Sequence, residues 1–256
     1  ESASDLLSAV GIRAVSGTDG VPVQGKFETT RDAGKWSIAS RRVMLGGTQL
    51  SGSATVAAAA DGAPVVSADL QADTVTIAGL LAPLHDVIAD AQAGGDGDIW
   101  PRGVFNFNAI GRASGDVRLR YTTLSVLPGV LARDGSVAIA FAPGKVAITD
   151  LTGKAAGGAL SGAVQFTQAA SGVAFDGSLK INGARLDQLS RAARGTATID
   201  AKATAQAQSP GGLLAVLSGT GTVALDAVSL PAPGPAVGEG VIAAVLANKI
   251  PNQPGD

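Results

Sequence analysis

An all-β fold is predicted for this chain: an elongated, curved antiparallel sheet, open as a trough or half-barrel, with an internal repeat and a few short helices. Three observations predict it. Most segments alternate apolar and polar residues with a period of two, the pattern of a strand with one wet face. Asp-Gly, Asn-Gly and Pro-Gly pairs punctuate those segments, and such pairs supply the turns of hairpins. Helical windows are few, too few to cover roughly a dozen strands. The sheet must therefore curl onto itself, pack on a second sheet, or line a groove that a ligand fills.

The elements follow in order. In 116–121 Val117, Leu119 and Tyr121 oppose Asp116, Arg118 and Arg120. In 135–141 Val137, Ile139 and Phe141 oppose Ser136, Ala138 and Ala140. In 175–181 Phe175, Leu179 and Ile181 oppose Asp176, Ser178 and Lys180. The stretch 195–208 alternates with small residues, setting Ala197, Ile199, Ala201 and Ala203 against Thr198, Asp200 and Lys202. Turns are expected at Asp19-Gly20, Asp61-Gly62, Asp134-Gly135, Pro143-Gly144 and Asn182-Gly183. Helices are expected in 76–92, broken or started at Pro83, in 209–217 behind a Ser-Pro start, and in 235–250. Residues 93–103 read as a linker loop.

Composition agrees with a turn-rich sheet. Apolar residues make up 46% of the 256, yet aromatics are 4% and glycines number 35, so side-chain layers are thin. Ala and Gly let strands bend and approach closely. A net charge of −2 lacks the basic excess of a nucleic-acid binder. With no cysteine, disulfide and thiolate chemistry are excluded. No run of 18 apolar residues occurs, so no helix that spans a membrane is expected. The start at Glu1, without a signal-like segment, reads as a mature form or a piece of a longer protein.

The repeat is specific. Residues 34–52 align without gaps to 144–162, matching Gly34/Gly144, Lys35/Lys145, Ile38/Ile148, Gly47/Gly157, Leu50/Leu160, Ser51/Ser161 and Gly52/Gly162. With one gap the match extends through Leu70/Leu179, Ile77/Leu186 and Leu80/Leu189. Constant offset and preserved element order argue for a duplicated unit. The division expected is a first β unit with a trailing helix over 1–92, the linker 93–103, a second β unit over 104–234, and a terminal helix and tail over 235–256.

Catalytic motifs are absent. His85 is the one histidine and, with no cysteine, cannot anchor a typical zinc site; it reads as a surface or helix-end residue. Gly-x-Ser-x-Gly is missing, as is a phosphate loop. Residues 219–224 fit the loose dinucleotide fingerprint, but a helical turn precedes them and a strand follows, the reverse of what it needs. The stretch 94–98 hints at a calcium turn in a single copy. Glutamates are only Glu1, Glu28 and Glu239, and nothing nominates a carboxylate pair. Trp36 and Trp100 are poor evidence for a carbohydrate platform. Arg41-Arg42 and Arg191/Arg194 read as solvated surface. No metal, cofactor or nucleic acid is expected, and the chain reads as a non-enzyme.

Residues 158–191, a strand pair, and then 211–230 resemble the C-terminal region of AsmA-like proteins. The shared pattern is a Gly-Gly then Leu-Ser-Gly strand, a strand ending in a Leu-rich turn, a Gly-led Ala/Thr-rich strand, and a Leu-rich turn with Leu-x-Gly-x-Gly before a last alternating strand. It covers about 110–230 and, through the repeat, more weakly 20–90. The N-terminal membrane helix of the family is not found here. The resemblance implies a Gram-negative envelope protein with a periplasmic body, whose parent is anchored in the inner membrane by parts outside this chain. It implies a role in phospholipid traffic toward the outer membrane and in outer-membrane assembly. An acyl chain gains about 0.8 kcal/mol per buried CH₂, so a trough of modest depth suffices. The lining expected to face lipid is Val117, Leu119, Tyr121, Val137, Ile139, Phe141, Val146, Ile148, Val164, Phe166, Phe175, Leu179, Ile181, Val223 and Leu225. The alternative is a structural or scaffolding β domain with a closed core and no ligand.

Overall fold

A computed structural model describes residues 23–45, 48–76, 104–105, 107, 110–127, 130–189 and 193–229. They form one open, elongated sheet of twelve strands, not closed into a barrel, with two short helices. The strands are β1 (Val23–Gly25), β2 (Glu28–Asp32), β3 (Lys35–Leu45), β4 (Thr48–Ala58), β5 (Pro64–Thr76), β6 (Ser114–Leu127), β7 (Val130–Ala142), β8 (Lys145–Ala155), β9 (Gly158–Ala169), β10 (Gly172–Arg185), β11 (Arg194–Ala207) and β12 (Ser218–Ser229). The helices are α1 (Leu186–Leu189), between β10 and β11, and α2 (Pro210–Ala215), between β11 and β12.

From β3 to β12 each strand pairs with the next in the chain, and β1 and β2 share the outer side of β3. All pairs are antiparallel except β5–β6, which is parallel from Val65↔Ser114 to Thr76↔Ser125. The expected purely antiparallel sheet is corrected at this one place. A hairpin cannot join parallel neighbours, so β5 and β6 are not joined by a tight turn. Arg112, just before β6, ties to the β4–β5 turn through an ion pair with Asp61 at 2.9 Å. The expected helices in 76–92 and 235–250, the linker 93–103, and the turn at Asp19-Gly20 lie outside the described residues.

The repeat appears in the strands. β3 and β8 run over 35–45 and 145–155, and β4 and β9 begin at 48 and 158. Gly34 and Gly144 close the matching hairpins with φ of 80° and 70°. Both copies lie in one continuous sheet. Asp61-Gly62 and Pro143-Gly144 are hairpin turns as expected. Asp134-Gly135 and Asn182-Gly183 are not: they lie inside β7 and β10, where Asp134 and Gly183 have φ of 50° and 69°. The left-handed conformation that these pairs favour makes a bulge there instead of a reversal.

Bulges shape this sheet. Ile148 pairs with Val164 and Leu151 with Gly162, so β8 spends three residues where β9 spends two. The extra residue swaps the alternation, and Leu151 joins Ile148 on the same face. The same device acts on β3 between Ser40 and Val43, on β7 between Arg133 and Ser136, and on β10 between Ile181 and Ala184. Bulges bend and twist the strands that carry them, so one face stays apolar while the sheet curves. Leu124 and Val137 are 0% and 1% exposed, and their described neighbours in the core all stand on this sheet. A flat single sheet would leave such side chains half wet.

Helix α2 follows its sequence signals. Ser209 is the N-cap, accepting a hydrogen bond from the Gly212 N–H at 3.1 Å, and Pro210 opens the first turn where its missing N–H costs nothing. Its Leu213 is buried.

Candidate functional site

The registers settle which side chains share a face, because direct cross-strand partners point the same way. Val117 pairs with Ile139, and Leu119 with Val137. Ile139 pairs with Ile148, and Phe141 with Val146. Val146 and Ile148 pair with Phe166 and Val164, and Phe166 with Phe175. Across the bulges Leu179 pairs with Gly162 and Ile181 with Leu160. Ile199 then pairs with Val223, and Ala197 with Leu225. Tyr121 stands beside Ala72 and Gly135. All fifteen residues expected to line the trough thus stand on one face.

Their burial divides them. Leu119, Tyr121, Val137, Val146, Ile148 and Phe166 are buried. Val117, Ile139, Phe141, Val164, Phe175, Leu179 and Ile181 are half-buried and keep apolar surface open. Val223 and Leu225 are 65% and 60% exposed, because β12 is the last strand and no described strand lies beyond it. The half-buried set runs over β6, β7, β9 and β10. At about 4.8 Å between strands, the five strands β6–β10 span about 19 Å, more than the ~15 Å of one bilayer leaflet's hydrocarbon.

One end of the face is stoppered. Phe105 lies 6.1 Å from Phe166, and Phe166 lies 5.4 Å from Phe175, ring centre to ring centre. Phe107 and Leu213 complete this cluster with Val146 and Val173. The Phe105 N–H donates to the Gln208 carbonyl at 2.8 Å, fastening the stopper to the segment between β11 and α2. Toward the other end the cluster is Leu124, Ala132, Leu151, Ala155 and Leu160.

These last five, with Phe105, Phe107, Val173 and Leu213, are absent from the lining read off the sequence. Leu151 falls out of the period-two pattern because of the bulge at Thr149-Asp150. Leu124 and Ala132 are likewise out of step with Tyr121 and Val137, and the positive φ of Asp134 marks where. Phe105 and Phe107 precede the first strand pattern of their region. The Asp134-Gly135 step inside an otherwise continuous strand pattern is the signal that could have found Leu124 and Ala132.

Tyr121 is a polar atom brought into this interior. Its hydroxyl donates to the Thr152 carbonyl at 2.7 Å, and burial pushes its pKa up. That hydroxyl lies over Gly153, where an added Cβ would sit 2.7 Å from its oxygen. Tyr121→Phe leaves one backbone carbonyl without its donor. It is expected to cost about 1 kcal/mol in urea unfolding, with an unchanged slope.

The opposite face is polar. Arg120 pairs with Asp69 at 2.6 Å and Lys180 with Asp200 at 3.9 Å, all half exposed. A shallow groove of about 380 Å³ there is lined by Thr152, Ser161, Ser178, Lys180, Asp200 and Lys202, among others. Among the described residues no three His, Cys, Asp or Glu side chains gather to hold a metal ion, and no helix is long and apolar enough to cross a membrane.

Two exposed aspartates carry a pH dependence. The Ala63 N–H and then Arg112 hold the Asp61 carboxyl below its ordinary pKa, and Arg185 does the same for Asp187. A carboxyl depressed in the fold binds its proton less readily than in the unfolded chain, so stability is present above the unfolded pKa and lost as pH falls through the folded one. The melting temperature is expected to fall below about pH 4, and Asp61→Asn with Asp187→Asn should flatten that fall.

Comparison with known protein families, characterised proteins and solved structures finds no match to this chain.

Proposed function

We propose that this protein is a non-enzymatic cell-envelope module that shelters or transfers phospholipid between the inner and outer membranes and so supports outer-membrane assembly. One observation carries the reading: a single sheet, open along its length, holds an apolar face whose half-buried members remain accessible while the reverse face is polar. The resemblance of 110–230 to AsmA-like proteins supports it. On this reading the body is periplasmic, and the parent protein is held at the inner membrane by parts outside this chain. Acyl chains lie against Val117, Ile139, Phe141, Val164, Phe175, Leu179 and Ile181, and headgroups stay at the water-exposed rim.

A structural β domain with a closed core is the second reading. The near-complete burial of Leu124 and Val137 favours it at the centre of the sheet. The two readings separate in one experiment. The protein is purified without detergent and its extract is analysed by mass spectrometry. Stoichiometric phospholipid is expected, and Phe141→Asp or Leu179→Asp, both at half-buried positions, should lose it while keeping the sheet's circular dichroism. A folded protein free of lipid would support the structural domain.

A further inference from the structure

The two edges of the sheet are unlike. The β1–β2 edge is interrupted at Lys26-Phe27, where the Ser40 hydroxyl donates to the Lys26 carbonyl at 2.8 Å, and β2 carries Glu28, Arg31 and Asp32. Short pieces, a break and charges are how sheets protect an edge from pairing. The β12 edge has none of these over 218–226. It pairs regularly with β11 from Ser218 to Asp226, its single charge is Asp226, and it contains no Pro. Every residue of β12 is exposed, Val223 at 65% and Leu225 at 60%. Among the described residues no strand pairs with its outer side.

We propose that β12 is a self-pairing edge, joining antiparallel to β12 of a second copy about a twofold axis through Thr222. The residues argue for this occupant and this register. The regular stretch ends where Ala227 takes a φ of 48°, and its centre is Thr222. Folded about that centre, Val223 meets the partner copy's Gly221 and Leu225 meets its Gly219. The exposed apolar half of the strand lies on the glycine half, where no side chain obstructs it. Ala224 meets Thr220, and the two Thr222 side chains meet each other as a β-branched pair, which pleated sheets favour. Asp226 meets Ser218 and not a second carboxylate. The apolar side chains keep to one face, since Gly219, Gly221, Val223 and Leu225 all pair with the same face of β11. A twofold interface requires one patch complementary to itself, and this strand meets that requirement.

The chain has no cysteine, so single introduced cysteines report on the pairing. Thr222→Cys is expected to form an intermolecular disulfide under mild oxidation, because directly opposed strand residues lie about 4.5–5.5 Å apart between Cα atoms. Ala224→Cys alone should not, since its own copy lies about 13 Å along the strand. Ala224→Cys mixed with Thr220→Cys should crosslink. In solution the unmodified chain should sediment at twice 25.1 kDa. Thr222→Lys places two ammonium groups on the axis, and should raise the dimer dissociation constant at least about tenfold. Residue 222 is exposed on the last strand, so a lysine there stays hydrated in the single chain and the variant keeps its sheet. A monomer at about 100 µM, a dimer that Thr222→Lys leaves intact, or crosslinks that ignore register would each overturn the proposal.

Discussion

Leu124→Asp is expected to abolish the cooperative fold, whereas Leu131→Asp, at the neighbouring position across the β6–β7 pair, leaves it nearly unchanged. The side chains differ in what surrounds them. Leu124 is 0% exposed within the main core cluster, and Leu131 is 42% exposed. A carboxylate at 124 must lose its water with no cation among the cluster's side chains, a cost of several kcal/mol on top of the lost packing. That is a large part of the 5–15 kcal/mol by which most domains are stable. At 131 the same group stays hydrated and should shift stability by about 0.5 kcal/mol or less. Thermal unfolding of the two variants checks both at once.

Phe166→Ala is expected to cost about 3–5 kcal/mol. Phe166 is 3% exposed and is the middle ring between Phe105 and Phe175. Its loss leaves a hole bounded by strands β8 and β10 and by the segment around Phe105, none of which can collapse without disturbing a ladder. Phe175→Ala should cost less, because Phe175 is only half-buried. If the two substitutions prove equal in urea unfolding, the stoppered end does not rest on Phe166.

How much of this was legible in the sequence depends on how regular each strand is. Val137, Ile139 and Phe141 sit in an unbroken alternation, and the face they share is the one observed. The alternating strands, the scarcity of helices and the helix behind Ser209-Pro210 were equally readable, because each rests on local chemistry, whereas openness does not, and local pattern left a curled, a stacked and an open sheet all standing. Asp134-Gly135 was not readable, since a positive-φ step can either reverse a strand or bulge it. The choice is made by whether the neighbouring strands continue past it, as β6 and β8 do. Leu124 was lost for the same reason, and Leu151 was lost because the bulge at Thr149-Asp150 has no glycine step to mark it. The parallel β5–β6 pair had no local signature, because strand direction is set by which neighbour a strand meets and not by its own alternation. Val223 and Leu225 share the apolar face with the other residues of the predicted lining, but alternation cannot tell a strand inside a sheet from one at its edge.

The central claim is that the apolar face, and not the polar reverse, takes up acyl chains. Leu179 and Lys180 are adjacent in β10 and stand on opposite faces. A photoreactive side chain placed at 179, and separately at 180, in the full chain with phospholipid vesicles tests the claim most directly. After irradiation, mass spectrometry should find phospholipid adducts at 179 and not at 180. Equal labelling at both positions, or labelling at neither, would contradict the account.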